Sequence, residues 1–147
     1  MSMDSYDLEI RKIFNVPDGL SIEDCIHSYA DPSQVLLAYS IFFPQFSEIE
    51  GEPVLGTLTQ EQIRQVKDAL KYSPPKEALE SFRWTEVPYL FSSRQSLSET
   101  QDLILAQLIA KTWDAKLNQQ YPHKQWKVQV LSPEITGSVV GVGFNEI

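Results

Sequence analysis

The chain has 147 residues, of which 42% are hydrophobic, and its aromatic side chains are 7 Phe, 6 Tyr and 3 Trp. This length predicts one globular domain over residues 1–147, and the hydrophobic content argues against disorder. The formal net charge is −8. Nucleic acid is disfavoured as a partner, because phosphate binding needs a basic patch and the sequence offers only the loose group His123, Lys124 and Lys127.

The acidic excess lies in the first 60 residues, which contain ten acidic residues against only Arg11 and Lys12. Residues 61–147 contain ten acidic and ten basic residues and are neutral overall. Charge asymmetry of this kind bears on partners and solubility and says little about the fold. A solvated acidic surface is the simpler interpretation, and an acidic surface that attracts a basic partner is the alternative.

Membrane insertion, export and disulfide bonding are all disfavoured. The longest apolar run, residues 35–43, is far shorter than the roughly 20 residues that cross a bilayer, so it predicts a core helix. Asp4, Asp7 and Glu9 stand where a secretory signal would carry positive charge. The single Cys25 excludes an internal disulfide and a multi-cysteine metal cluster. We therefore expect a cytoplasmic protein without a cofactor or a metal.

Helix-start signals dominate the first two thirds of the chain. Ser21, Asp31 and Thr59 are each suited to cap a following helix, and Pro44 limits the second of these helices. Residues 45–57 fit two short extended pieces around a turn. The predicted helices in this part of the chain span residues 5–14, 22–30, 35–43, 59–72 and 75–82.

The strongest helix signal begins at two overlapping capping boxes, Ser96 with Glu99 and Ser98 with Gln101. The helix predicted through residue 120 is apolar on nearly every side, so other elements must pack around it. Its expected exposed residues form one narrow stripe: Gln107, Lys111, Asp114 and Asn118. Its expected interior residues are Ile104, Leu105, Leu108, Ile109 and Trp113.

Alternating residues predict strands near the end of the chain. Residues 125–131 place Trp126, Val128 and Val130 on one face, and residues 138–144 form a second strand after a turn. Val139, Gly141 and Gly143 leave one face of that second strand almost bare, which favours close backbone packing. Residues 84–91 read as extended, with Pro88 keeping them at a sheet edge or out of a sheet. The fold class is α+β: several N-terminal helices and one long central helix packed on a small antiparallel sheet that includes a C-terminal β-hairpin.

Catalytic signatures are absent from the sequence. It contains no nucleotide-binding glycine loop, no nucleophile elbow and no zinc-protease motif. Cys25 and His27 lie two residues apart on a predicted helix and point to different sides, so they do not form a nucleophile and base pair. Free cysteine is more often a small buried side chain. These absences favour a protein without enzymatic activity over a hydrolase.

A candidate interface combines aromatic anchors with acidic residues: Phe43, Phe46, Glu48, Glu50 and Glu52. The three acids alternate and would project from one side of an extended segment. A solvated strand edge gives the same pattern, as would metal or general-acid carboxylates. As an interface, the group would steer a basic protein partner towards the aromatic anchors.

The leading hypothesis is a cytosolic protein-binding module that uses an acidic N-terminal surface. Immunity proteins that neutralise a basic toxin, or other inhibitor-type or regulatory proteins, are concrete forms of this class. The alternative is a small-molecule-binding protein or hydrolase with a pocket between the long helix and the C-terminal sheet, lined by Trp113, Tyr121 and Trp126. The sequence predicts no oligomeric state.

Overall fold

The structure, a computed structural model, describes residues 3–90 and 98–147, with side chains from Asp7 onward in the first range. Contacts divide the chain into an N-terminal unit, Met1–Ile41, and a C-terminal unit, Phe42–Ile147. A single domain therefore stays a prediction, whereas the α+β class is confirmed. The helices are α1 (Met3–Ile13), α2 (Ile22–Tyr29), α3 (Pro32–Phe42), α4 (Gln60–Leu70), α5 (Pro75–Ala78), α6 (Glu99–Gln120) and α7 (Pro133–Thr136). The strands are β1 (Ser47–Ile49), β2 (Glu52–Val54), β3 (Trp84–Glu86), β4 (Trp126–Leu131) and β5 (Gly141–Glu146).

The N-terminal unit forms the helices that its caps predict. Ser21 and Asp24 make the reciprocal capping box of α2, with the Ser21 amide donating to the Asp24 carboxylate at 2.8 Å. The Asp31 carboxylate accepts the Ser33 amide at 2.8 Å in the first turn of α3. Cys25 is buried as predicted, and it is the only buried side chain among residues 7–41. A unit of this size with one buried side chain has little hydrophobic core of its own.

Helix α3 corrects the expectation of a core helix over residues 35–43. None of its residues is buried, and Val35, Leu36, Leu37 and Tyr39 are 53%, 73%, 71% and 59% exposed. The prediction is wrong because an apolar run shows only that burial of its side chains would be favourable. It does not show that other residues of the same chain bury them. We call these four residues the α3 patch.

The C-terminal unit contains a three-stranded antiparallel sheet in the order β3-β5-β4. The predicted hairpin of β4 and β5 is confirmed, with Trp126 opposite Glu146 and Leu131 opposite Gly141. Its connection holds the short helix α7, where the sequence predicted a turn. Strand β3 is at the sheet edge, one of the two alternatives that Pro88 left open, but it is shorter than expected because residues 87–90 form a 3-10 helix. Residue 91 lies outside the described part of the chain.

Helix α6 packs on one face of this sheet, as predicted. The capping box of Ser98 and Gln101 is confirmed, while Ser96, the start of the other predicted box, lies outside the described residues. All four residues of the predicted polar stripe are exposed. Of the predicted interior residues, Ile104, Ile109 and Trp113 are buried, and Leu105 and Leu108 are half-buried.

An aromatic layer fills the space between α6 and the sheet. Its four rings, each at most 7% exposed, come from Phe46, Trp113, Trp126 and Phe144. Phe46 and Phe144 meet edge to face at 5.1 Å between ring centres, and Trp113 lies 6.2 Å from both. Two of the rings proposed to line a pocket at this position, Trp113 and Trp126, are therefore part of the packed core.

A second hydrophobic cluster lies between the β1–β2 hairpin and helix α4. Its buried members are Ile49, Val54, Val66 and Leu79. The hairpin turns at Glu50 and Gly51, whose φ angles of +53° and +79° are those of a tight two-residue hairpin turn. The two extended pieces around a turn that the sequence predicted for residues 45–57 are confirmed.

Candidate binding surfaces

The residues of the predicted interface do not form one exposed face. Phe46 is 3% exposed in the aromatic layer, and Phe43 is half-buried with the Lys116 ammonium nitrogen 5.0 Å from its ring centre. Three predicted acids are divided between β1 (Glu48), the hairpin turn (Glu50) and β2 (Glu52). The expectation that they project from one side of an extended segment is wrong, because the chain reverses direction at Glu50 and Gly51.

Glu52 belongs to an internal ion cluster. Its carboxylate accepts hydrogen bonds from Arg83 Nη2 at 2.6 Å and from Lys124 Nζ at 3.0 Å, and Lys124 also donates to Glu146 at 2.9 Å. Burial raises the pKa of Glu52, but the hydrogen bonds and positive charges of Lys124 and Arg83 outweigh it and hold the pKa below its usual value. The carboxylate is thus held ionised between two cations.

Arg83 fixes the hairpin to the sheet from a site that is 1% exposed. Its Nε donates to the Pro53 carbonyl at 2.9 Å, next to the bond with Glu52. Its Nη1 is buried without a hydrogen-bond partner in the described part of the protein, and the guanidinium carbon lies 5.5 Å from the Phe144 ring centre and 5.8 Å from that of Trp126. Contact with two ring faces offsets part of the cost of burying this charge.

Glu48 is also engaged within the protein. It accepts the Tyr121 hydroxyl at 2.6 Å, and that hydroxyl in turn accepts a 3.2 Å bond from Gln120 Nε2. Burial and the Glu48 carboxylate raise the pKa of Tyr121, so its hydroxyl remains a donor. Among the described residues, Glu50 is the only predicted acid of the hairpin that forms no hydrogen bond or ion pair.

The α3 patch is the largest group of exposed apolar side chains on one helix of the N-terminal unit. No charged residue occurs between Pro32 and Ser47, and the patch is preceded by the acids Glu23, Asp24 and Asp31. The two basic residues of this unit are both paired with acids, Arg11 with Asp7 at 2.8 Å and Lys12 with Glu9 at 2.6 Å. The unpaired charge of the described side chains in this unit is therefore negative.

A groove of about 540 Å³ lies on the face of the sheet opposite α6. Strands β3, β4 and β5 contribute Trp84, Lys127, Gln129 and Asn145 to its lining, and Lys76 of α5 lies at its border. Neither the predicted interface nor the predicted pocket included it. The sequence feature that marks this groove is the glycine-rich face of the last predicted strand. That face predicted close backbone packing, and no ligand site was predicted there.

Metal-binding geometry is not found in residues 3–90 and 98–147. No group of three or more His, Cys, Asp or Glu side chains there could hold a metal ion. Within the same residues, none of the helices has the length and apolar character needed to span a bilayer. Glu48 and Glu52 of the hairpin instead serve as hydrogen-bond and ion-pair partners within the fold.

A scan against protein-family models and searches of curated proteins and of solved structures gave no significant match.

Proposed function

We propose that this chain is a non-enzymatic protein-binding module whose N-terminal unit docks on another protein through the α3 patch. The observation that carries the proposal is the exposure of Leu36 and Leu37, 73% and 71%, in a helix that buries none of its residues. Contiguous exposed apolar side chains with a polar surround are typical of protein interaction sites.

The small core of the N-terminal unit supports the proposal. With Cys25 as the only buried side chain in residues 7–41, the unit gains little free energy from its own packing. A partner that covers the α3 patch would add the missing apolar burial and would stabilise the folded unit by mass action. Docking and ordering of these helices are therefore expected to be coupled.

The negative charge of the N-terminal unit favours a partner with a basic surface. Residues 1–41 contain seven acids against Arg11 and Lys12, both of which are already paired. A protein with an apolar groove and a basic rim would complement this surface, whereas a second copy would bring like charges together. A cytoplasmic immunity-type, inhibitor-type or regulatory protein would have this design.

This proposal moves the binding surface from the predicted hairpin to α3. Phe46 packs in the aromatic layer, and Glu48 and Glu52 are bonded to Tyr121, Arg83 and Lys124. Glu48 and Glu50 are both exposed, and Glu50 is the predicted acid that forms no hydrogen bond or ion pair among the described residues.

The test is capture of a partner by the immobilised protein, quantified for matched variants at low and raised salt. The double variant Leu36→Gln, Leu37→Gln is expected to reduce retention of the partner at least about tenfold, since buried apolar anchors dominate interface energy. The control is Ile135→Gln, which changes a 69% exposed side chain of the C-terminal unit.

Retention by the wild-type protein should also weaken as salt rises, because screening reduces attraction between exposed charges. The proposal fails if the same protein is retained equally by the wild type, the double variant and the control, or if retention does not respond to salt.

A further inference from the structure

We propose that the groove on the outer face of the β3-β5-β4 sheet binds a small planar aromatic anion. The site is separate from the α3 patch and does not depend on the function proposed above. Its volume of about 540 Å³ falls within the range of small-molecule sites.

Strand register brings the lining side chains together. Gly143 of β5 is opposite Trp84 of β3 on one side and Gln129 of β4 on the other, so these two side chains flank a position without a side chain. The next outward pair along the hairpin is Lys127 with Asn145. One aromatic, one cationic and two amide side chains therefore stand on a single face.

The glycines of β5 make a flat apolar wall possible. A Cβ at Gly141 would lie 2.8 Å from the Thr85 carbonyl oxygen and 3.4 Å from the Trp84 ring, and a Cβ at Gly143 would lie 3.1 Å from Trp84 Cβ. Without these carbons, the Trp84 side chain rests against the β5 backbone. An indole held in this way offers a fixed surface on which an aromatic ring can stack.

The charge at the groove favours an anion. Lys76 and Lys127 are exposed and form no ion pair with any described residue, whereas Glu146 at the same groove is already paired with Lys124 at 2.9 Å. Glu80 is the one lining acid that lacks such a partner. In a chain of net charge −8, two unpaired lysines beside an aromatic wall fit a single carboxylate or similar anion.

Asn145 adds a requirement for a hydrogen-bond donor. Its side-chain oxygen is buried and has no partner in the described part of the chain, although the residue lines the groove. A buried acceptor without a donor costs free energy, which a ligand N–H or O–H would recover if the Asn145 side chain turns its oxygen towards the groove. The expected ligand thus carries a ring, an anionic group and a donor within one small molecule.

Anthranilate is a suitable probe because it combines a planar ring, a carboxylate and an amino donor, and its absorption overlaps tryptophan emission. Titration followed by energy transfer and by backbone amide shifts is expected to give saturable binding with a dissociation constant on the order of 1 mM, as its size implies. The largest shifts are expected in residues 127–131 and 141–146.

Two comparisons assign the contacts. Lys127→Gln should weaken binding about tenfold through loss of a charge-assisted hydrogen bond, while Lys111→Gln, at an exposed lysine of α6, should leave it unchanged. Benzamide, which keeps the ring without the charge, should bind about tenfold more weakly than anthranilate. The inference is overturned if binding does not saturate below about 10 mM, if the shifts map to residues outside the groove, or if the two lysine variants behave alike.

Discussion

Helices α3 and α6 are both rich in apolar residues, yet they have opposite surroundings. Helix α6 buries five side chains, Ile104, Ala106, Ile109, Trp113 and Leu117, against elements of its own unit. Helix α3 buries none. An apolar helix gains free energy when its side chains are buried. Its sequence does not show whether the same chain or another molecule buries them, and the contacts in the structure do.

The two units differ in the same way. The C-terminal unit has an aromatic layer, an aliphatic cluster and an ion cluster that joins the β1–β2 hairpin to the sheet. The N-terminal unit has capped helices and Cys25 as its one buried side chain among residues 7–41. We therefore expect substitutions in the C-terminal unit to change stability strongly and those in the α3 patch to change binding.

The largest loss of stability is expected for Trp113→Ala. Trp113 is 2% exposed and contacts Phe46 and Phe144, so its removal leaves a cavity in the aromatic layer. We expect the free energy of unfolding to fall by about 4 kcal/mol, measured by urea denaturation. The control Leu103→Ala, at a 43% exposed position of the same helix, should cost less than about 1 kcal/mol, and equal losses would contradict the assigned packing.

The next largest effect is expected for Glu52→Gln. It leaves the guanidinium of Arg83, which is 1% exposed, without its carboxylate partner. Breaking a buried ion pair from one side costs about 3 kcal/mol. The control Glu50→Gln, at the exposed turn of the same hairpin, should change stability by less than about 0.5 kcal/mol. A similar loss in both variants would show that the hairpin responds to charge alone.

The ion cluster also predicts a pH dependence. The pKa of Glu52 is lower in the folded protein than in the unfolded chain, so its stabilisation is complete above the unfolded pKa of about 4.3 and is lost as pH falls through the folded pKa. The stability difference between wild type and Glu52→Gln should thus shrink as pH is lowered from neutral into this range, as measured by urea denaturation at each pH. A difference that stays constant would contradict the pairing.

A smaller effect is expected at the sheet glycines. Gly141→Ala places a carbon 2.8 Å from the Thr85 carbonyl oxygen, which forces the backbone to shift and should cost about 2 kcal/mol. Gly143→Ala meets its nearest neighbour, a side-chain carbon of Trp84, at 3.1 Å and should cost less. Thermal or urea unfolding of the two variants gives this order, and the reverse order would contradict the close approach of the Thr85 carbonyl oxygen to Gly141.

Local signals account for what the sequence could predict. Capping boxes located the starts of α2, α4 and α6, and alternation located β4, because these signals depend on residues a few positions apart. The groove residues and the ion cluster could not be found in this way. Arg83 and Glu52 are 31 positions apart, and Tyr121 and Glu48 are 73 apart, so these pairs exist only through the fold.

The exposure of α3 could not be read from its sequence either. The apolar run of residues 35–43 predicted a core helix, which is wrong for α3, whereas the narrow polar stripe of α6 predicted a helix covered on its other sides, and five of its side chains are buried. Both helices are rich in apolar residues, so composition alone does not distinguish a buried helix from an exposed one. The difference lies in the partners available within each unit.

The most direct test of the central claim, that Leu36 and Leu37 of the α3 patch are exposed in the described part of the chain, is the stability of the double variant Leu36→Gln, Leu37→Gln. If both side chains are exposed as described, urea denaturation should show a change in the free energy of unfolding of less than about 1 kcal/mol, because glutamine is a good helix former and little burial is lost. A loss of more than about 3 kcal/mol would show that the chain covers these residues itself and would contradict the account.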